Sequence, residues 1–142
     1  SHFNPRAHSH TGVRGLMQLT LATAAEMGVA NRLDPAASIR GGVKYLAQLY
    51  QRFDDVKGRD RMLFTLASYN VGYGHVRDAM QIARDKDRPP DKWSSLKETL
   101  PLLRVRAYYS KTRYGYARGT EPVRFVTRIQ TYYDILRNQS RS

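Results

Sequence analysis

The stretch DPAASIRGGVKYLAQLYQRF, residues Asp34–Phe53, gives the clearest structural signal in the sequence. Its apolar residues recur at spacings of three and four positions, as on one face of an α-helix: Ile39, Val43, Leu46, Tyr50 and Phe53. Asp34 is a suitable N-cap, and Pro35 suits the first helical turn. The stretch therefore predicts a buried amphipathic helix, and the pair Gly41–Gly42 inside it predicts close approach by another backbone.

Other segments of the chain show the same helical periodicity. They are Thr20–Met27, Arg59–Asn70, a helix after Gly74 built on Val76, Ala79, Met80 and Ala83, Trp93–Leu103, and a last helix from Thr120 with Val126, Ile129, Tyr133 and Leu136 facing inward. No segment alternates long enough to predict a strand, although a small hairpin is left open. The sequence therefore predicts an all-α fold, and its length predicts a single domain over residues 1–142.

The composition limits the classes of function. Among 142 residues, 24 Lys and Arg against 12 Asp and Glu give a net charge of +12. This excess favours a polyanionic partner, such as nucleic acid, an anionic lipid surface or an acidic cell-wall polymer, although solubility alone would also explain it. The chain has no cysteine, which excludes disulfides and thiol catalysis. No apolar run reaches membrane-spanning length.

Four polar stretches are not explained by packing or helix capping. They are Ser1–Thr20, Ala67–Gly74, Lys111–Gly119 and the acid Glu121. Aromatic, amide and guanidinium groups on loops suit a sugar site, because rings cover the apolar faces of pyranoses while polar groups satisfy hydroxyls. The same mixture of Tyr with Lys and Arg would also stack the bases of single-stranded nucleic acid. Composition leaves both interpretations open.

The order of the motifs is more specific than any one of them. SxFNPxAxSxxGVRGLMQLT, ASYNVGxG and TEPVRFVTRI, in that order, resemble the catalytic domain of the lytic transglycosylases, whose fold is similar to goose-type lysozyme. RLDPxxSIRGG and KTRYGYARG are most similar to the membrane-bound lytic murein transglycosylase F type. The resemblance extends from Ser1 to about Leu136. It implies a lysozyme-like helical domain that cleaves the MurNAc-β-1,4-GlcNAc bond of peptidoglycan and forms 1,6-anhydro-MurNAc.

The resemblance also implies where the catalytic acid lies. In this family the first motif reads Glu-Ser, and the Glu is the only catalytic acid. The matching serine is Ser1, so we expect the chain to be truncated at its amino end, without the helix that carries the Glu. As written, the chain is then expected to be inactive or nearly so. A single Glu that first donates and then accepts a proton needs a raised pKa and hence an apolar neighbourhood.

The family motifs assign roles to individual residues of this sequence. Ser9 and Tyr69 match residues that act near the reacting sugar. The substrate-binding residues implied by the resemblance or by the aromatic loop are Met17, Gln18, Asn70, Tyr114, Tyr116 and Glu121. Local explanations exist beside these roles: Ser9 as a loop cap, Glu121 as a complement to a helix dipole, and the tyrosines as a self-packed turn. Phe125 stands where many members of the family carry Tyr.

We expect no cofactor and no metal, since His2, His8 and His10 have no well-spaced carboxylate beside them. His75 is interpreted as a surface residue at a helix start. The expected partner is the peptidoglycan glycan strand and not nucleic acid. We expect a monomer in the periplasm, associated with the outer membrane only through an anchor outside this chain. A non-catalytic glycan-binding module and a goose-lysozyme-like hydrolase are the alternatives, and a nucleic-acid-binding protein is a more remote one.

Overall fold

A computed structural model describes residues 35–141, with side chains for residues 41–139. Its helices are α1 (Pro35–Arg52), α2 (Gly58–Val71), α3 (Tyr73–Asp85), α4 (Trp93–Thr99), a 3₁₀ helix (Leu100–Arg104), α5 (Arg106–Tyr109) and α6 (Thr120–Arg141). Between residues 35 and 141 there is no strand, and the predicted all-α class is confirmed. Three predicted helices begin and end close to α1, α2 and α6, whereas α5 was not predicted. The predicted helix Thr20–Met27 lies outside the described residues.

The chain divides into two compact units, and the larger comprises residues 47–128. In this unit α2 packs on α3 and α4, and α3 also packs on α4 and on the 3₁₀ helix. Phe53 and Phe64 are fully buried and meet edge to face at 5.7 Å, and Trp93 meets Phe64 at 6.2 Å. All residues from Leu63 to Ser68 in α2 are buried, so this helix is central and lacks a solvated face over that length.

The second unit comprises residues 1–46 and 129–142. Its described residues are 35–46, which belong to α1, and 129–141, which belong to α6. Leu46 and Ile129 are buried there, and the Arg137 guanidinium lies 5.7 Å from the Tyr133 ring. In the part of the chain that the structure covers, no helix combines the length and the apolar character needed to cross a membrane.

Three sequence predictions about packing need correction. Leu49 is 1% exposed but was omitted from the predicted buried face of α1. A single series of residues spaced three and four apart follows only one of the two neighbouring rows of side chains on a buried helix face. Leu136 was predicted to face inward and is 38% exposed. The pair Gly41–Gly42 was predicted to allow close backbone approach, yet a Cβ on Gly41 would find no atom of the described residues within 4 Å, and the prediction for Gly42 stays a prediction. Periodicity identifies a helix face, but neighbouring elements decide how much of that face is covered.

Candidate functional site

The corner between α2 and α3 positions the predicted Tyr69–Asn70 pair. Gly72 separates the two helices with φ of 108°, a backbone conformation that side-chain-bearing residues rarely adopt. Its N–H donates to the Ser68 carbonyl at 2.8 Å, and its carbonyl accepts from the Val76 N–H at 3.2 Å, so one residue ends α2 and begins α3. Tyr69 is half-buried and Asn70 is exposed. The corner therefore places the phenol and the amide at the last turn of a buried helix.

The first two turns of α6 reach the same corner. The Phe125 ring is stacked on the Tyr69 ring, with centroids 6.4 Å apart and an interplanar angle of 21°. Glu121 lies one turn earlier, on the same side of α6 as Phe125, because residues four apart share a helix face. Its carboxylate is exposed and accepts a hydrogen bond from Arg124 at 3.4 Å. The structure thus brings the motifs ASYNVGxG and TEPVRFVTRI together through the Tyr69–Phe125 ring pair.

The loop Lys111–Gly119, called the tyrosine loop below, places Tyr114 on the first turn of α3. A Cβ on Gly74 would lie 2.7 Å from two carbons of the Tyr114 ring, so the ring covers the backbone where the side chain is missing. The His75 ring meets the Tyr114 ring at 6.3 Å and near a right angle, and Tyr114 still exposes 53% of its surface. His75 lies at the start of α3, as predicted, and is half-buried; its buried Nδ1 has no hydrogen-bond partner among the described residues.

A buried carboxylate holds this loop in place. Asp78 is 7% exposed, and its two oxygens accept the backbone N–H groups of Tyr114 at 2.9 Å and Arg113 at 3.3 Å. The Thr112 hydroxyl accepts the N–H of Gly115 at 3.0 Å, and Gly115 adopts φ of 76°. Hydrogen bonds to a charged acceptor are stronger than neutral ones, so these contacts fix the backbone from which the Tyr114 ring projects.

Tyr116 belongs to a different ring pair. Its ring meets the Tyr109 ring edge to face at 5.6 Å and is half exposed. The loop returns to the core at Gly119, where a Cβ would overlap the Leu100 carbonyl group. Tyr114 and Tyr116 therefore pack on different neighbours, and the sugar platform expected from these two rings stays a prediction.

An ion pair fixes the other side of α3. Arg77 donates two hydrogen bonds to the Asp55 carboxylate, at 2.7 and 2.9 Å, and others to the Tyr73 hydroxyl and the Arg52 carbonyl. The hydrogen bond from Arg77 lowers the pKa of Asp55, and the same bond raises the pKa of Arg77. This cation is fully engaged, so its role is to hold α3 against the end of α1.

The remaining predicted residues lie outside the described part of the chain, and their roles stay predictions: Ser9, Met17 and Gln18, with His2, His8 and His10. Among residues 35–141 no three His, Cys, Asp or Glu side chains form a group that could hold a metal ion. Asp78, which anchors the tyrosine loop, was not predicted as a functional residue. Its signal was an acidic residue between the apolar positions Val76 and Ala79 of an amphipathic helix.

Comparison with known proteins gives consistent matches. The family model described as "Transglycosylase SLT domain" matches residues 1–92. A protein of Desulfosudis oleivorans is 62% identical over 140 residues, which are 98% of this chain and 31% of that protein. Proteins of Shewanella loihica and Stutzerimonas stutzeri are each 56% identical over 137 residues, which are 96% of this chain and 29% and 28% of those proteins.

All three relatives carry the name "Membrane-bound lytic murein transglycosylase F". The chain spans between 28% and 31% of their lengths. The matches over 96% to 98% of the chain include the α2–α3 corner and the tyrosine loop, whereas the family model ends before the loop.

Proposed function

Because the chain belongs to the transglycosylase SLT domain family, we propose that it forms the catalytic domain of a peptidoglycan lytic transglycosylase. The reaction breaks the β-1,4 bond between N-acetylmuramic acid and N-acetylglucosamine. The product is a 1,6-anhydro ring on the muramyl residue, and no water is consumed. The observation that supports this proposal most directly is the aromatic corner, where Tyr69 stacks on Phe125 beside the polar Asn70.

The reaction needs one group that first gives and then takes a proton. By resemblance to the family, this group is the Glu that directly precedes the serine matched by Ser1. It protonates the glycosidic oxygen, and the bond from that oxygen to the muramyl C1 breaks. It then accepts the proton of the C6 hydroxyl as the C6 oxygen closes onto C1. Atoms balance without water, so a second carboxylate is not required, in contrast to ordinary glycoside hydrolysis.

The other predicted site residues are proposed to contribute binding and orientation to this scheme. We propose that the Tyr69 hydroxyl and Ser9 lie near the reacting sugar, while Asn70, Met17 and Gln18 contact acetamido and hydroxyl groups. A half-exposed Tyr114 ring, held from behind by Gly74, suits the apolar face of a pyranose. Tyr116 and Glu121 are proposed to contact neighbouring parts of the strand: Glu121 is exposed and Tyr116 half exposed.

The names of the relatives support a place in the cell envelope. We propose that the protein works as a monomer in the periplasm, associated with the outer membrane through a segment outside these residues.

The test is digestion of purified sacculi by the full-length protein, with mass spectrometry of the products. A lytic transglycosylase releases anhydro-muropeptides, whereas a hydrolase leaves a reducing end that is heavier by one water. Tyr69→Phe should lower kcat/KM about 10- to 150-fold, the value of one hydrogen bond to a charged or reacting group. Tyr50→Phe is the control, since it removes the hydroxyl group from another half-buried tyrosine ring.

Reducing-end products would replace the proposal by a hydrolase. Binding to sacculi by the full-length protein without any product would favour the glycan-binding module. Tight, salt-sensitive binding of single-stranded DNA in the absence of binding to sacculi would favour the nucleic-acid interpretation.

A further inference from the structure

A groove of about 750 Å³ lies between α3 and the segment Ala107–Arg113. Residues on its walls include Asp78, Gln81, Lys86, Lys111 and Arg113. None of the site residues predicted from the sequence lines it. It adjoins the tyrosine loop, because Asp78 on its wall is also the acceptor for the Tyr114 N–H.

The acidic groups of the groove are already engaged. Asp78 accepts two backbone N–H groups, and Asp85 accepts the side-chain amide of Gln81 at 2.9 Å. A cation bound in the groove would therefore have to compete with these hydrogen bonds for the two carboxylates.

Arg77, which also lines the groove, is paired with Asp55, but the other three basic groups of the groove are engaged much less. Within the described residues, the ion pairs closer than 4 Å do not include Lys86, Lys111 or Arg113. The Lys86 ammonium lies 3.5 Å from the Tyr108 hydroxyl, and the Arg113 guanidinium lies 5.4 Å from the centre of the Tyr114 ring. Neither contact neutralises a charge. The groove thus carries three cations that are available to an anionic ligand.

We propose that this groove binds the peptide arm of peptidoglycan through the free carboxylates of that peptide. The inference rests on the proposed function for the identity of the ligand, and on the cations of the groove for its chemistry. Two of the three cations are lysines spaced along the walls, which suits separate carboxylates better than one compact phosphate, for which a guanidinium fork or converging N–H groups are preferred. Ile82 and Ala107 give the groove apolar surface for the aliphatic parts of a peptide.

The distances along α3 fit this ligand. With a rise of about 1.5 Å per residue, Asp78 lies roughly 6 Å and Lys86 roughly 18 Å beyond Gly74 along the helix direction. An extended peptide covers about 3.3 to 3.6 Å per residue, so about five residues span the distance from Gly74 to Lys86, and between about three and four span the part from Asp78 to Lys86. A muramyl sugar on the Tyr114 ring could therefore direct its peptide along α3 toward Lys86.

The test compares the double variant Lys86→Gln/Lys111→Gln with the control Arg59→Gln/Lys97→Gln. Both lose two positive charges, and the control residues are exposed and do not line the groove. Calorimetric titration of the 142-residue chain uses the tripeptide L-Ala-γ-D-Glu-meso-diaminopimelate and its fully amidated form. The groove variant should bind the carboxylate peptide about 3- to 30-fold more weakly, as expected for two exposed ion pairs. The control should bind like the unchanged chain, and the amidated peptide should bind more weakly to all three.

A second measurement separates this inference from the proposed function. The full-length protein digests either intact sacculi or glycan strands stripped of peptide by an amidase. The groove variant should have a higher KM on the intact substrate and an unchanged rate on the stripped one. Equal binding of charged and amidated peptides, or an equal loss in the control, would overturn the inference. So would anionic vesicles or DNA that need Lys86 and Lys111 while the peptide does not. Absence of anhydro products from both substrates would contradict only the proposed function, because the titration requires no cleavage.

Discussion

Replacing Gly74 with alanine tests the link between the helix corner and the tyrosine loop. The new Cβ would lie 2.7 Å from the Cδ2 and Cε2 atoms of Tyr114 and 3.0 Å from its Cγ. Ordinary carbon–carbon contacts are about 3.5 to 4.0 Å, so the ring must move by roughly 1 Å or swing away. Since Tyr114 is 53% exposed, it can move into solvent without disturbing buried neighbours.

The expected change in stability is small because two effects oppose each other. Alanine in a helix is favoured over glycine by about 0.5 to 1 kcal/mol. Loss of the contacts between Tyr114 and the His75 ring costs about 0.5 to 1.5 kcal/mol. The free energy of unfolding of Gly74→Ala should therefore stay within about 1 kcal/mol of the original. Glycan binding should weaken roughly 2- to 13-fold, if the stacked sugar contributes as much as an aromatic pair.

Gly41→Ala is the matched control. It also introduces a methyl group into a helix, but the new Cβ meets no atom of residues 35–141 within 4 Å. This variant should gain about 0.5 to 1 kcal/mol of stability and bind glycan unchanged. Denaturant unfolding measures the stability, near-UV circular dichroism reports the tyrosine environment, and calorimetry with peptide-free glycan oligomers measures binding.

Tyr114→Ala separates the possible failures. If this variant binds weakly while Gly74→Ala binds like the unchanged chain, the proposed coupling between the glycine and the ring is refuted. If Tyr114→Ala also binds normally, Tyr114 is not a sugar platform. A loss of more than about 2 kcal/mol in Gly74→Ala would show that the ring cannot move as freely as its exposure indicates.

Two further predictions concern the scaffold. Gly119→Ala should destabilise the chain by about 3 kcal/mol or more in denaturant unfolding. The new Cβ would overlap the Leu100 backbone carbonyl, which cannot rotate away as a side chain can. A loss of stability below about 1 kcal/mol would contradict this prediction. Asp55→Asn should cost about 0.5 to 1 kcal/mol at pH 7, a value kept low because half of the carboxylate is exposed. Since Arg77 lowers the pKa of Asp55, the carboxylate stabilises the fold fully above its ordinary pKa of about 3.9 and ceases to do so as the pH falls through the lowered value. The difference from the unchanged chain should therefore shrink as the pH falls below that ordinary value and not grow with acidity.

The amino-acid sequence by itself determined the helical class, most helix positions and the family. Helical periodicity is a local property, so the stripe from Val43 to Phe53 predicted α1 without knowledge of what covers it. The break after the Tyr69–Asn70 pair was likewise readable from the glycines that follow, although only Gly72 proved to interrupt the helices. The ordered motifs then identified the family, which the match over residues 1–92 confirms.

Only the tertiary structure decided which of these pieces meet. Asp78 accepts the N–H groups of residues 35 and 36 positions later in the chain. The contacts of Phe125 with Tyr69 and of Tyr114 with Gly74 also join distant segments. No local pattern specifies such pairs, because they depend on how several helices fill a common volume at once. The basic groove has the same origin, since its cations come from α3 and from the tyrosine loop, and only the fold brings them to one surface.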